Sequence, residues 1–234
     1  MAPTGYGPSD IDTQLHDISP ASNIRTAKRS QATVTECYGA DMTAVPEWMR
    51  PPRPEGWYSD DLDKLAEAPR HTELIDGALV FRMSLQRVWH ARMITALVKS
   101  LTDQAPAGIE VDHEMTIRLD RWNRPEPDLL ATTAPYDPYR TFYTPEETLL
   151  VVEVVSPESA HRDRTVKLRK YAEAGIANYW RVEEEDLAPV IHAYERDEPT
   201  RSYVPTAVYR HELHTTTPFA IKLDLDGLVP GRKS

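Results

Sequence analysis

Apolar residues recur along this chain at two different periods, and the changes between them mark out its elements. From Arg87 to Leu101 the positions His90, Ile94, Leu97, Val98 and Leu101 fall at the spacing of one helix face, which predicts a helix. Thr148 to Val155, TLLVVEVV, is a nearly continuous apolar run rich in β-branched residues, the pattern of a strand buried on both faces and so of a sheet centre. Two strands are predicted between them: Ile109 to Leu119, which alternates apolar and polar residues, and Asp128 to Thr132, which follows the rigid Pro125-Glu126-Pro127 lead-in. A helix beginning near Ser159 or His161 and running to Ala174 is ended by Gly175, and Tyr179 to Val182 is the next strand, stopped by the acidic run Glu183 to Asp186.

Upstream, His71 to Phe81 reads as a hairpin whose Asp76-Gly77 pair takes the positive φ angles of a two-residue turn. Ser59-Asp60-Asp61 caps a short helix through Leu62 and Leu65, after a proline-punctuated, extended Val45 to Pro54. Apolar segments around Val190 to Tyr194, Tyr203 to Val208 and Phe219 to Leu225 add further strands. Residues 1–44 mix Pro, Ser, Thr, Asp and Gly without apolar periodicity and are read as a disordered tail, leaving 45–234 as one α/β domain.

Composition narrows the function classes. With 234 residues, 40% of them apolar, the chain is long enough for one substantial core. The single Cys37 excludes an intramolecular disulfide framework and a cysteine cluster for zinc. The first forty residues hold no apolar run suited to a signal peptide, and no stretch approaches the roughly 18 apolar residues of a membrane span, so a cytoplasmic protein without membrane contact is expected. The formal charge of −10 counts against a simple DNA-binding module, which usually shows a basic surface, but not against an enzyme whose cations are gathered locally.

Glu153 is the most informative residue, being the only charge inside Leu149 to Val155, where an unpaired carboxylate costs several kcal/mol. It requires a partner. Asp128 heads the preceding strand, and two carboxylates at neighbouring strand ends make a hard, oxygen-only site suited to Mg²⁺ or Mn²⁺. A lysine beside them would complete a site for phosphodiester hydrolysis, stabilising phosphate charge and orienting the attacking water. The strand offers none, since the position two after Glu153 is Val155. On the following helix Asp163, Lys167, Lys170 and Tyr171 share one stripe. His161 to Lys170 holds five Lys or Arg against one Asp, a local net of +4, and Lys167 is the candidate.

The order of PEPDLLA at 125–131, LLVVEVVSPESAHRDRTVKLRKYAEAGI at 149–176 and YWRVE at 179–183 resembles the Uma-type restriction endonuclease family, a branch of the PD-(D/E)XK nuclease superfamily. ELIDGALV at 73–80 and the helix beginning near His90 also fit, so the resemblance runs from about Trp57 to Leu228. It implies a restriction-endonuclease-like mixed sheet with an α-β-β-β-α-β core, extended by the N-terminal hairpin and C-terminal strands. It also implies that Asp128 is the Asp of the PD element, that Glu153 is the acid of (D/E)XK, and that the lysine has migrated to Lys167. Glu73 matches an upstream acidic position that can join the site as a metal ligand. The expected function is Mg²⁺-dependent hydrolysis of nucleic acid, DNA foremost, with Mn²⁺ an alternative ion and the Val154 carbonyl a third ligand beside Asp128 and Glu153. Cutting both strands would need two sites, hence a homodimer.

Plainer readings stand beside these. Glu153 and Lys167 can form a structural ion pair without catalysis, and Glu73 is as readily a strand-edge charge as a ligand. His90 on an apolar stripe reads as a core histidine, Tyr171 and Trp180 as packing, and Glu183 to Asp186 as a solvated turn. Arg162, Arg164 and Arg169 read as solvated charges. The alternatives to an endonuclease are a catalytically inactive nuclease-fold interaction protein and an enzyme for a small phosphodiester.

Overall fold

Asp76 and Gly77 take φ angles of 51° and 75°, the pair of left-handed residues that lets a hairpin close in two residues. They join β1 (Glu73–Ile75) to β2 (Ala78–Val80) in a computed structural model that describes residues 45–82 and 86–228. After them come α1 (Val88–Thr102), β3 (Glu110–His113), β4 (Thr116–Ile117), β5 (Leu129–Thr132), β6 (Phe142–Tyr143), β7 (Thr148–Val154), α2 (Lys167–Ala174), β8 (Asn178–Glu185), β9 (Ala188–Asp197), β10 (Ser202–Tyr209), β11 (Glu212–Thr215) and β12 (Ile221–Asp224). The order α1-β3-β5-β7-α2-β8 is the expected α-β-β-β-α-β core.

One sheet of six strands, ordered β10-β9-β8-β7-β5-β3, forms the centre, with β7 and β8 its only parallel neighbours among the described residues. A parallel pair needs a crossover, and α2 provides it. On one face of the sheet, Met93, Ile94, Leu97 and Leu101 of α1 pack with Val152, Val154, Trp180 and the β11–β12 hairpin. On the other, Tyr171 and Ala172 of α2 pack with Leu130, Val151 and Tyr179. The continuous apolar run of β7 is therefore explained: alternate residues feed two different cores. All these elements belong to one unit, Val45–Ser234. The segment 1–44, read as a tail, lies outside the described residues. No helix of the described residues is long and apolar enough to cross a membrane.

The structure departs from the sequence reading in four places. The strand expected over 109–119 is broken at Glu114, whose φ of 54° separates β3 from β4. Strand β8 does not stop at the acidic run but continues through Glu185, because Glu183 pairs with Arg164 and Arg181, Glu184 with Arg87 and Glu185 with Arg210. The short helix of Ser59–Lys64 is 3₁₀ and capped one residue earlier than expected, at Tyr58, whose N–H donates to Asp61. The segment from Val45 is not wholly extended, since Glu47–Met49 forms a 3₁₀ turn.

The hairpin matters because it brings Glu73 to the site, and it is gripped at its turn. Gly77 donates its N–H to Trp122 and accepts from Trp57 at 2.9 Å each. Gly56, at φ +104°, approaches so closely that a Cβ there would lie 2.6 Å from the Gly77 carbonyl oxygen. Gly56→Ala is expected to cost about 1–3 kcal/mol, the scale of a strained backbone position. A denaturant midpoint equal to that of the parent would show that the turn is not held from this side.

Candidate active site

The site begins with the Pro-Glu-Pro lead-in. Because Pro125 and Pro127 carry no N–H, Glu126 supplies the one backbone donor of the three. That N–H donates to Glu73 Oε1 at 2.8 Å, and the Glu126 carbonyl accepts from Lys167 Nζ at 3.2 Å and Arg82 Nη2 at 3.3 Å. Glu73 reaches it because β1 is bridged to the lead-in through the Leu74 and Arg124 backbones.

Asp128 follows Pro127. One step beyond the Leu129–Val152 pair of β5 and β7, the register brings it beside Glu153. Its Oδ2 accepts the Val154 N–H at 2.7 Å and lies 3.5 Å from His90 Nε2, while Oδ1 accepts from Arg82 Nη2 at 3.2 Å. The Gln86 amide nitrogen lies 2.8 Å from His90 Nδ1 and fixes the ring with its other nitrogen toward Asp128. Val154 offers the site only its backbone, since its side chain is buried in the core on the α1 face.

Lys167 enters from the opposite side. The chain reaches α2 through a π-helical turn over Arg162–Val166, in which the Lys167 N–H bonds the Arg162 carbonyl, five residues back. The wide turn points Asp163 and Lys167 inward together. The Lys167 ammonium lies 2.6 Å from Glu73 Oε1, 3.1 Å from Glu153 Oε1 and 3.9 Å from Asp163 Oδ1. Tyr171, one turn further, donates its hydroxyl to Glu153 Oε1 at 2.8 Å. The predicted stripe Asp163, Lys167, Lys170, Tyr171 is indeed the buried face, but Lys170 is held at 2.5 Å from Asp76 in the hairpin turn.

Glu73, Asp128, Glu153, Asp163 and Lys167 line one cavity of about 360 Å³, with His71, Arg87 and Arg162 among its other walls. Burial pushes the Glu153 carboxyl well above the usual range, aided by Asp163, Asp128 and Glu73 and opposed by Lys167. Burial likewise raises Asp163, against Lys167 and Ser159. Burial works the other way on Lys167, but Glu153, Glu73 and Asp163 outweigh it and hold the ammonium charged. Asp128 also feels burial first, yet His90, Arg82 and Lys167 together bring its carboxyl below the ordinary value.

Among the described residues, no three His, Cys, Asp or Glu side chains have their donor atoms gathered around a single point. The fit to a divalent ion rests instead on donor chemistry and on Asp163. The acidic donors are carboxylate oxygens throughout, the preference of Mg²⁺ and Mn²⁺. Both Asp163 oxygens are buried with no hydrogen bond of normal length, Lys167 Nζ standing 3.9 Å from Oδ1, an under-satisfied arrangement that a cation would relieve. The residues that would hold one, once their side chains turned to a common point, are Asp128, Glu153 and Asp163, with Glu73 and the Val154 backbone alongside.

Residues 59–226, more than half of the chain, match the Uma2 family, described as "Putative restriction endonuclease". The chain belongs to the Uma2 family. A solved structure described as that of "a putative nuclease belonging to DUF820 from Anabaena variabilis" superposes with a TM-score of 0.56 at 13% identity, covering 72% of this chain and 96% of that one. At such identity the likeness establishes the fold, the restriction-endonuclease-like one. None of the curated proteins matches the chain.

Within this Uma2 fold, Asp128, Glu153, Lys167 and Glu73 are brought together as the sequence suggested, and Lys170 is not. His90, read as a core histidine, instead meets Asp128 at the cavity wall, a position that its apolar stripe conceals. Tyr171 packs as expected and is also a hydrogen-bond donor to Glu153, while Trp180 stays in the core. Arg164 and Arg169 are tied to Glu183 and Glu173, consistent with solvated charges, whereas Arg162 lines the cavity. The sequence marks Asp163 only as a stripe neighbour of Lys167. Arg82 was not foreseen at all, having no periodicity or motif to mark it.

Proposed function

We propose that this Uma2 protein is a Mg²⁺- or Mn²⁺-dependent phosphodiesterase that hydrolyses nucleic acid, DNA foremost. The observation that carries the reading is the Lys167 ammonium, held in a cavity within 3.1 Å of two buried carboxylates with Asp128 on the adjoining strand end. A structural pair would need one carboxylate. Here Glu73, Glu153 and Asp163 gather around Lys167 and Asp128 meets Arg82, at a cavity also lined by Arg87 and Arg162 and large enough for a phosphate group. The family and the fold neighbour, both described as nucleases, support the same reaction class.

A divalent ion on Asp128 and Glu153 would act as a Lewis acid toward a phosphate oxygen and lower the pKa of a bound water. The chain's own residues do the rest. Lys167, fixed by Glu73 and the Glu126 carbonyl, presents a permanent positive charge to the oxygens on which charge develops. Tyr171 orients Glu153, and the Val154 N–H orients Asp128. The surrounding apolar cores exclude water and strengthen each of these interactions. Cutting both strands of a duplex needs two such sites, so a homodimer belongs to the same proposal.

A second reading, a nuclease fold retained for interaction without catalysis, is favoured by the same carboxylates being closed by Lys167 and Arg82. Incubation of the purified chain with plasmid and single-stranded DNA decides between them. Cleavage is expected with Mg²⁺ or Mn²⁺, none with chelator, and Asp128→Asn should lose at least about a hundredfold in rate. Intact DNA under every metal condition would overturn the proposal that this chain cleaves DNA.

A further inference from the structure

Arg124 and Arg82 are each tied to an aspartate, and they are built differently. Arg124 forks onto both oxygens of Asp63 at 2.9 Å each, donates further to the Ser59 and Thr141 carbonyls, and has a side chain only 3% exposed. That is a structural arginine. Arg82 reaches Asp128 and the Glu126 carbonyl through a single nitrogen, Nη2, at 3.2 and 3.3 Å, and its side chain is 25% exposed although Asp128 is 3% exposed. It forgoes the two-pronged geometry that makes guanidinium–carboxylate pairs strong. Lys167, by contrast, is 3% exposed and sits 2.6 Å from Glu73.

We infer that Arg82 is a displaceable stand-in for the metal ion: in the metal-free chain its guanidinium closes Asp128, and an ion taking Asp128 releases it into the cavity as a ligand for the phosphate of the nucleic acid. The inference rests on the metal-dependent reading of the site. Asp128 Oδ2 accepts the Val154 N–H and Oδ1 accepts from Arg82, so Oδ1 is the oxygen at which an incoming ion meets a side-chain cation of the protein. Of the two cations among the carboxylates, Arg82 has the longer contacts and the greater exposure, so it is the one that yields. Its freed fork then faces the cavity, which it lines.

The test is Mn²⁺ binding to the metal-free full-length chain, by calorimetry or by the electron paramagnetic resonance of free Mn²⁺, for the parent and for Arg82→Ala. Losing a competing charge at hydrogen-bond distance should tighten Mn²⁺ binding by at least about tenfold. At saturating Mn²⁺ the same variant should cleave more slowly through kcat, having lost a phosphate ligand. Arg164→Ala removes an exposed arginine outside the cavity and should leave Mn²⁺ affinity within about twofold, separating a local competitor from a change in net charge. Arg82→Gln drops the charge but keeps a donor for Asp128, and carries the test if the alanine variant does not fold. Affinity in the Arg82 variants equal to or weaker than in the parent would overturn the inference while leaving metal dependence intact. Absence of Mn²⁺ binding in parent and variants alike would remove the metal-dependent reading and the inference with it.

Discussion

Lys167→Met should destabilise the metal-free protein by about 3–5 kcal/mol near pH 8, the cost of removing one partner from a buried ion pair. The side chain is nearly isosteric with lysine, so packing against Tyr171 and the sheet changes little and the loss is electrostatic. What remains is Glu73, Glu153 and Asp163, each about 1% exposed, without the charge they share. Glu153 and Asp163, both raised by burial, respond by holding protons, so the penalty should shrink as pH falls toward the ordinary carboxylate range and grow as pH rises above it. Adding Glu153→Gln to Lys167→Met should return part of the loss, because it removes one stranded charge. Equilibrium denaturation of the two single variants and the double at two pH values measures the coupling. Strict additivity, with no pH dependence, would mean that Lys167 is not the electrostatic centre of the cluster. The same substitution should also abolish cleavage, so rate alone cannot distinguish structural from catalytic work by this lysine.

How much of this site was legible in the sequence depends on which kind of contact made it. Glu153 was legible because a lone charge in an apolar, β-branched run has to be explained, and Lys167 because helical periodicity aligned it with Asp163 and Tyr171. Asp128 was legible through its two prolines, which fix where the chain enters the sheet. The residues that were missed are those placed by tertiary contacts of long sequence separation. Arg82 reaches Asp128 only because the hairpin is bridged to the lead-in at Leu74 and Arg124. His90 occupies a helix position whose apolar neighbours look the same whether the ring meets a core or a carboxylate. The π turn widens the helix by one residue without a compositional trace, so the burial of Asp163 could not be distinguished from a surface i, i+4 pair. Strand β8 outran its predicted end for a similar reason: three consecutive glutamates discourage a strand locally, and arginines from the residue before α1, the π turn, β8 itself and the chain after β10 reverse that preference.

Glu153→Gln should separate function from stability in opposite directions. The substitution preserves shape and keeps an oxygen to accept the Tyr171 hydroxyl, whose proton burial and the neighbouring Glu153 hold firmly in place. It removes a carboxyl that burial has pushed well above its ordinary range. A carboxyl raised in the folded state destabilises that state as pH climbs past its unfolded value, because the unfolded chain ionises first and gains by doing so. At pH 4 the variant and the parent should therefore be equally stable. At pH 8, without metal, the variant should melt at the same temperature or higher, even though it leaves Lys167 with Glu73 and Asp163 as its remaining partners. Its Mn²⁺ affinity and its cleavage rate should nonetheless fall by about a hundredfold or more, since the lost oxygen is a proposed ligand and outer-shell losses alone reach that scale. Melting scans at the two pH values, a Mn²⁺ titration and a cleavage assay on one preparation read all three effects. A variant that is less stable at pH 8, binds Mn²⁺ as the parent does and still cleaves would place Glu153 in the architecture rather than the chemistry. Mn²⁺ affinity and rate are the distinguishing readouts, because a carboxyl raised by burial is cheap to lose at pH 8 whether or not it holds a metal.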